Sequence, residues 1–544
     1  MALFLSFLTA MFVTMLLIPP LIRGAERWRI VDVPDSTRKV HSQTIPRIGG
    51  VAMVCGALLP VLLWLPFARE VTAFLVGSLL ILAFGVWDDR VNLSYRVKFA
   101  GQLLAVAVVV GFGHIAFQHL PLASAGELGW YISVPVTVLF LLGVTNAINL
   151  SDGLDGLAGG TALLSIGAIA VLAFMGDNLP VAFMSLAVIG SILGFLRFNT
   201  HPARVFMGDA GSQFLGFTAG VLAILLTQHG HAAVSAALPL LLLGWPLLDT
   251  ATVMVQRIVE GRSPFSADKN HLHHKLLRMG FAHHEAVFVA YVAQSGLVLL
   301  AYYLRFESDA LVMTTFVLAA VVILAAIHVP LARGWRKPSA EHHRALPAST
   351  EQNSQVTARV ALWAARFAVV SLLVLVVLIA LLAAPLTPTM GGTLLALWVV
   401  LAVVAWRHGS NPLTWFERGA IYVLGALLVF ALQSAPAALA QVRGVLDIYF
   451  VLLAFAVVAG FRWSRTRSFA MTPLDYLVIF IAFAVPSLPG TVLQQLHVGE
   501  FIAKLIVLFY GVELALHHGG VTRHSARVAM LGVCALLAGR GLIS

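Results

Sequence analysis

Runs of about 20 apolar residues recur along nearly the whole chain, and that is the length an α-helix needs to cross a hydrocarbon layer. With 60% hydrophobic and only 11% charged residues, and a mean hydropathy of +0.93 over 544 residues, the chain exceeds what a water-soluble core requires. The fold class expected is therefore an all-α polytopic membrane protein. Residues 3–22 could pass for a signal peptide, but no basic segment precedes the run and no small-residue cleavage site follows Pro19-Pro20, so it is read as the first span.

Spans are expected near residues 2–22, 48–66, 71–87, 98–115, 131–149, 158–175, 180–196, 211–227, 232–255, 286–304 and 310–330, about 11 before a polar break. About seven more follow, near 361–384, 390–405, 416–433, 445–461, 474–488, 499–516 and 526–543. The break is the one long stretch that combines Pro, Ser and Gln, which divides the chain into a membrane domain at 1–335, a polar cytoplasmic linker at 336–360 and a second membrane domain at 361–544.

Lys and Arg accumulate in short cytoplasmic loops. With the N-terminus outside, all but five of the 34 basic residues fall on the cytoplasmic side, the exceptions being Arg69, Arg305, Arg443, Lys504 and Arg540. The net charge of +10 is thus spread over inside loops, which points to anionic lipid headgroups and phosphate substrates and away from nucleic acid. Cys55 and Cys534 sit in apolar runs far apart and read as small core residues, with neither disulfide nor metal spacing.

The same orientation brings four polar clusters to the cytoplasmic face. Asp88 and Asp89 end an apolar run before Arg90; adjacent acids cannot point the same way on a helix, so one is expected to face a ligand and the other to orient it or face water. Asp152 and Asp155 lie three apart among Gly153 and Gly156, with Asn146 and Asn149 one turn earlier, at a depth where an unpaired amide is costly. Asp209 stands between Gly208 and Gly211, with Ser212 as a candidate N-cap, so a close backbone approach to a phosphate competes there with plain helix capping. His271, His273 and His274 lie beside Lys269, Lys275 and Arg278, and lack the i, i+4 pair or Cys of a zinc site; a pyrophosphate site or a solvated basic loop are the alternatives. A fifth loop, residues 38–50, holds Arg38, Lys39, His41 and Arg47 before Gly49-Gly50. Together the acids are oxygen ligands suited to Mg²⁺, the basic loops suit phosphates, and neither a P-loop nor a G-x-G-x-x-G fingerprint is present.

Five motifs occur in order: R-K-x-H…P-R-x-G-G at 38–50, D-D-R with K-F-A-G-Q at 88–102, N-x-x-N-x-x-D-G-x-D-G-L-A at 146–158, F-N-x-x-P-A-x-x-F-M-G-D-x-G-S at 198–212 and H-x-H-H at 271–274. In this the chain resembles, over about residues 1–335, the polyprenyl-phosphate N-acetylhexosamine-1-phosphate transferases (MraY/WecA/TagO-like, glycosyltransferase family 4). The resemblance implies transfer of an N-acetylhexosamine 1-phosphate, GlcNAc-1-phosphate or a related amino sugar, from a UDP-sugar to undecaprenyl phosphate. UMP is released, and lipid-linked cell-envelope polysaccharide synthesis begins at a bacterial inner membrane. It also implies Mg²⁺, with Mn²⁺ as a substitute. By the same resemblance Asp88, Asp89 and Asp209 are catalytic, the first two placing or activating the lipid phosphate; Asp209 and Asp152 hold metal; and Asn146, Asn149, Asp152, Asp155 and Asn199 hold substrate. His271, His273 and His274 would bind pyrophosphate, with Lys39, Arg47 and Lys98 as lesser contacts. Leu272 interrupts the three-His run usual in the muramoyl-pentapeptide branch, which favours the WecA-like amino-sugar branch.

The second domain lies outside the resemblance. Its few acids, among them Asp447, Asp475, Glu500 and Glu513, sit near span ends and read as edge residues. It is expected to be a structural, lipid-binding or docking module, with a homodimer or polysaccharide-assembly partners as its candidate contacts. The rival reading for the whole chain is a transporter or flippase of lipid-linked sugars, which would place ionisable groups near the bilayer midplane.

Overall fold

In lipid every backbone N–H and C=O must be paired within the protein, and helices meet that demand segment by segment. The computed structural model is accordingly mostly helical over the residues it describes, which are 2–32, 44–121, 128–229, 234–263, 270–337, 362–364, 366–372, 388–407, 415–433, 440–462, 498–518 and 523–543. Two compact units are present, one built on residues 1–339 and the other on most of 340–544.

The first unit contains α1 (Ala2–Trp28), a two-residue ribbon of β1 (Val31–Asp32) and β2 (Ile45–Pro46), α2 (Gly49–Trp64), α3 (Arg69–Val91), α4 (Tyr95–Ala107, extended by a π turn to Phe112), α5 (Trp130–Ser151), α6 (Leu157–Met175), α7 (Leu179–Asn199) and α8 (Gly208–Gln228). It continues with α9 (Leu238–Leu242), α10 (Gly244–Val259), α11 (Leu272–Arg278), α12 (His283–Tyr303) and α13 (Asp309–Ala332). Nine of these, counted among the described residues, are long and apolar enough to cross a membrane: α1, α3, α4 with its π turn, α5 to α8, α12 and α13. The shorter α2, 16 residues long, takes the second expected position.

α8 is the axis of the unit. It packs against α2, α3, α5 and α6, and Phe214 and Phe217 on it are fully buried. Close crossings at glycine allow this: Gly50 on α2 faces the backbone of Gly211, Gly85 on α3 faces Ala210, and Gly216 faces Thr145 on α5.

The run expected as one span at 232–255 is instead broken into α9 and α10, with residues 230–233 outside the described residues. The break is mended from another helix. The buried Gln294 of α12 accepts from the Trp245 N–H at 2.9 Å and donates to the Leu242 carbonyl at 2.8 Å, so two backbone groups released by the break are paired. Gln294→Leu leaves both unpaired at roughly 1–3 kcal/mol each. The expected result is a loss of about 2–4 kcal/mol, read as a clearly lowered melting temperature in detergent; an unchanged melting curve would show that the break is held by packing alone.

The second unit contains helices Pro388–Arg407, Trp415–Gln433, Ala440–Arg462, Val498–His518 and Arg523–Ile543. Of the expected spans there, 361–384 is described only over 362–364 and 366–372, and 474–488 lies outside the described residues, as does Asp475. Ala368, Leu453, Val457 and Leu514 form a buried cluster. Its charges are not all at edges. Glu417 is fully buried against Arg527, with Nε–Oε1 at 2.5 Å and Nη2–Oε2 at 3.2 Å, a two-point pairing that lets both charges leave water. Lys504, also buried, pairs with Asp447 at 2.7 Å and with Glu500. Cys534 is buried with its Sγ 3.3 Å from the Leu394 carbonyl, whereas Cys55 is exposed on α2, so only one of the two is the core residue expected.

Candidate active site

The antiparallel run of the helices brings the C-terminal ends of α3, α5 and α7 to the same end of the bundle as the N-terminal ends of α2, α4, α6 and α8. Every acid of the first three clusters stands at one of those ends.

Asp88 and Asp89 diverge, as neighbours on a helix must. Asp88 accepts from the Leu93 N–H at 2.7 Å, which holds the turn from α3 into α4, and its Oδ2 lies 2.5 Å from Lys98 Nζ. The same ammonium reaches Asp209 Oδ2 at 2.8 Å, so Lys98 bridges the two carboxylates. Asp89 is placed differently from a group free to meet substrate. Its two oxygens accept from the N–H groups of Asp209 at 2.8 Å and Ala210 at 3.1 Å, a carboxylate set against the positive end of α8. A side chain at Gly208 would collide with it: a Cβ there would lie 2.4 Å from Asp89 Oδ2, and the residue's φ of +67° favours glycine in any case. The capping role expected of Ser212 thus belongs to Asp89. Ser212 lies one turn inside α8, its hydroxyl 2.6 Å from Asn149 Oδ1.

Below this layer Asn146 donates to Gln102 at 2.8 Å, and Gln102 donates to Gln213 at 3.0 Å, a buried amide chain that pairs polar groups at depth. Asn199 braces the turn of the D-G-L-D-G motif, accepting from the Gly156 N–H at 2.9 Å and donating to the Val205 carbonyl at 2.9 Å. Asn146 and Asn199 therefore act on the protein's own framework. Asp155 accepts from the Ala203 N–H at 3.1 Å and faces His201 Nδ1 at 2.8 Å. Asp152 is exposed at the turn after α5, where the charges of Asp209 and Asp155 favour its neutral form and Arg47 acts the other way.

The histidines lie on and just before the short helix α11. His271 faces Asp249 Oδ2 through Nδ1 at 2.9 Å, and the Leu272 N–H donates to Asp249 Oδ1 at 2.6 Å, so one buried acid on α10 fixes both the ring and the start of α11. His273 packs beside Gly153, where a Cβ would lie 2.3 Å from its Nε2, an atom buried without a protein partner. Burial drives its pKa down to about 3, against the pull of Asp249, so the ring is neutral at physiological pH. The His273 and His274 rings are 4.3 Å apart. Of the cations expected beside them, Lys275 is buried with its Nζ 2.9 Å from His328 Nε2 on α13, Arg278 donates to Asn270 at 3.4 Å, and Lys269 lies outside the described residues, as does Lys39 of the 38–50 loop. Arg47 pairs with Asp32 at 2.5 Å across the ribbon.

Asp249 escaped sequence reading although an acid within an apolar run, W-P-L-L-D-T, is itself a functional signal. His201 and His283 also escaped, because their partners are distant in sequence.

Among the described residues the carboxylates Asp88 and Asp209 face each other across the Lys98 ammonium, and the Asp209 side chain is 30% exposed. That donor chemistry suits a hard divalent cation. Carboxylates, an ammonium and imidazoles gathered at one end of a multi-pass bundle belong to the class of membrane-embedded enzymes that handle phosphates.

The glycosyl transferase family 4 model matches residues 71–227. The chain is 41% identical over 284 residues, covering 51% of it and 78% of the relative, to a Bacillus subtilis protein named probable undecaprenyl-phosphate N-acetylglucosaminyl 1-phosphate transferase. It is 38% identical over 287 residues to the decaprenyl-phosphate N-acetylglucosaminephosphotransferase of Mycolicibacterium smegmatis, covering 47% of the chain and 70% of the relative. To the undecaprenyl-phosphate alpha-N-acetylglucosaminyl 1-phosphate transferase of Escherichia coli K12 it is 28% identical over 308 residues, covering 54% and 83%. The chain belongs to glycosyl transferase family 4. A transporter of lipid-linked sugars is not supported, and the acids of the first unit's motifs stand at helix ends, away from the midplane a carrier would use.

Proposed function

We propose that the protein transfers N-acetylglucosamine 1-phosphate from UDP-N-acetylglucosamine to undecaprenyl phosphate, releasing UMP. The reaction takes place on the cytoplasmic side of a bacterial inner membrane, with the N-terminus outside. The observation that carries this reading is the Lys98 bridge between Asp88 and Asp209 at the membrane-boundary end of the bundle, in a chain whose relatives bear the names of such transferases.

In the reaction an oxygen of the lipid phosphate bonds to the sugar-proximal phosphorus of the donor, and the bond from that phosphorus to the oxygen kept by UMP breaks. Both reactants are anionic, so charge neutralisation and alignment dominate the barrier. Lys98 supplies a fixed positive charge, and Asp88 holds its ammonium in place. An already ionised phosphate needs no proton removed, so Asp88 positions and does not act as a base. Asp89 keeps the start of α8, and with it Asp209, in register. His273, neutral and packed against Gly153, backs the D-G-L-D-G turn, and His271 is oriented by Asp249. Mg²⁺, held by Asp209 and Asp152, would neutralise charge on the diphosphate when bound. Trp87, Val91 and Tyr95 are exposed next to Asp88 and offer apolar surface to the acceptor's tail. The second unit is assigned a structural or docking role.

Purified protein incubated with Mg²⁺, undecaprenyl phosphate and a panel of radiolabelled UDP-sugars is expected to release UMP fastest from UDP-N-acetylglucosamine. Release from another amino sugar alone would change the donor; no release from any of them ends the transferase reading. In the same assay Asp249→Asn is expected to lower turnover about ten-fold or more by freeing the His271 ring, and wild-type turnover in that variant would remove Asp249 from the site.

A further inference from the structure

Asp155, His201 and His283 come from three separate elements, the turn before α6, the α7–α8 loop and the first residue of α12, yet their candidate ligand atoms all lie within 4.8 Å of one another. The His201 and His283 rings are stacked, 4.4 Å between centroids at 20°. His283 Nε2 is buried with no protein partner. The Asp155 carboxylate is held in turn by the Ala203 N–H at 3.1 Å.

We propose that Asp155, His201 and His283 form a binding site for a borderline transition cation such as Zn²⁺, separate from the carboxylate cluster around Asp209. Two imidazoles and one carboxylate are the donor set such an ion prefers, whereas the carboxylate cluster suits a hard divalent cation. Ligand bonds of about 2.0–2.2 Å require the three side chains to close on the ion. His201, 45% exposed, is free to do so, and its exposure leaves a fourth position for water. An ion bound there would join the D-G-L-D-G turn to the loop that leads into Asp209. This inference does not depend on the transferase reading.

The test is titration of the full-length protein, stripped of metal in detergent, with Zn²⁺ alone and with Co²⁺ alone as a spectroscopic probe. One saturable Zn²⁺ equivalent is expected, with visible Co²⁺ absorption bands of a low-coordinate N/O site. His201→Gln and His283→Gln should each weaken Zn²⁺ about ten-fold or more, while His271→Gln and Asp209→Asn leave it. Should His283→Gln fail to fold, as judged by its metal-free melting curve, the exposed His201→Gln carries the test by itself. Absence of saturable binding, binding that survives the His201 substitution, or binding lost with His271→Gln would overturn the proposal.

Discussion

Asp209→Asn is expected to lower kcat for UMP release by roughly 10²–10³ while leaving the protein folded. The amide is the same size as the carboxylate, and the Asp209 backbone N–H that binds Asp89 is untouched, so the start of α8 keeps its cap. What disappears is the negative charge that meets Lys98 at 2.8 Å and the anionic oxygen on which a divalent cation would rest. The Mg²⁺ dependence should therefore shift to higher concentrations along with the loss of turnover. Steady-state kinetics across a Mg²⁺ series, paired with melting curves, separate the two effects. Full turnover with an unshifted Mg²⁺ curve would force the metal role of Asp209 to be abandoned.

Gly50→Ala is the substitution expected to damage the fold most. A Cβ at this position would lie 2.3 Å from the Gly211 nitrogen, 2.5 Å from the Met207 carbonyl oxygen and 2.6 Å from the Gly211 Cα. All three are backbone atoms of the segment that opens α8, so no side-chain rotation relieves the clash, and α2 must separate from α8. Overpacking of this kind costs about 3 kcal/mol or more. Because the Gly50 N–H also donates to Met207 at 2.9 Å, the separation carries Asp209 with it, and turnover should fall together with the melting temperature. Gly167→Ala on α6, where a Cβ would meet nothing within 4 Å, is the matched control and should melt like the parent or slightly higher. If the two variants melt alike, the close α2–α8 crossing is not what the structure depends on.

Both outcomes follow from contacts between residues more than 100 positions apart, and this marks where sequence reading ran out. Apolar length located the helices of the first unit to within a few residues, since lipid demands that each span pair its own backbone. The same argument missed the break at Leu243, because the groups that make the break tolerable belong to Gln294 on another helix. Adjacency told that Asp88 and Asp89 diverge, but not which one meets Lys98 and which one caps α8; that depends on how α3 and α8 cross. Ser212 looked like the cap because a local candidate is visible in sequence and a carboxylate 120 residues away is not.

By itself the amino-acid sequence determined an all-helical membrane protein, the gathering of its acids and histidines at helix ends, and, through five ordered motifs, the family. The tertiary structure alone decided which of those groups face one another. It joined Lys98 to both Asp88 and Asp209, turned Asn146 and Asn199 inward to the framework, and revealed Asp249 behind His271. The physical reason is range. Hydrophobic length and helix periodicity act over a few turns of one chain segment, whereas a buried charge or amide is satisfied by whichever partner packing brings within about 3 Å.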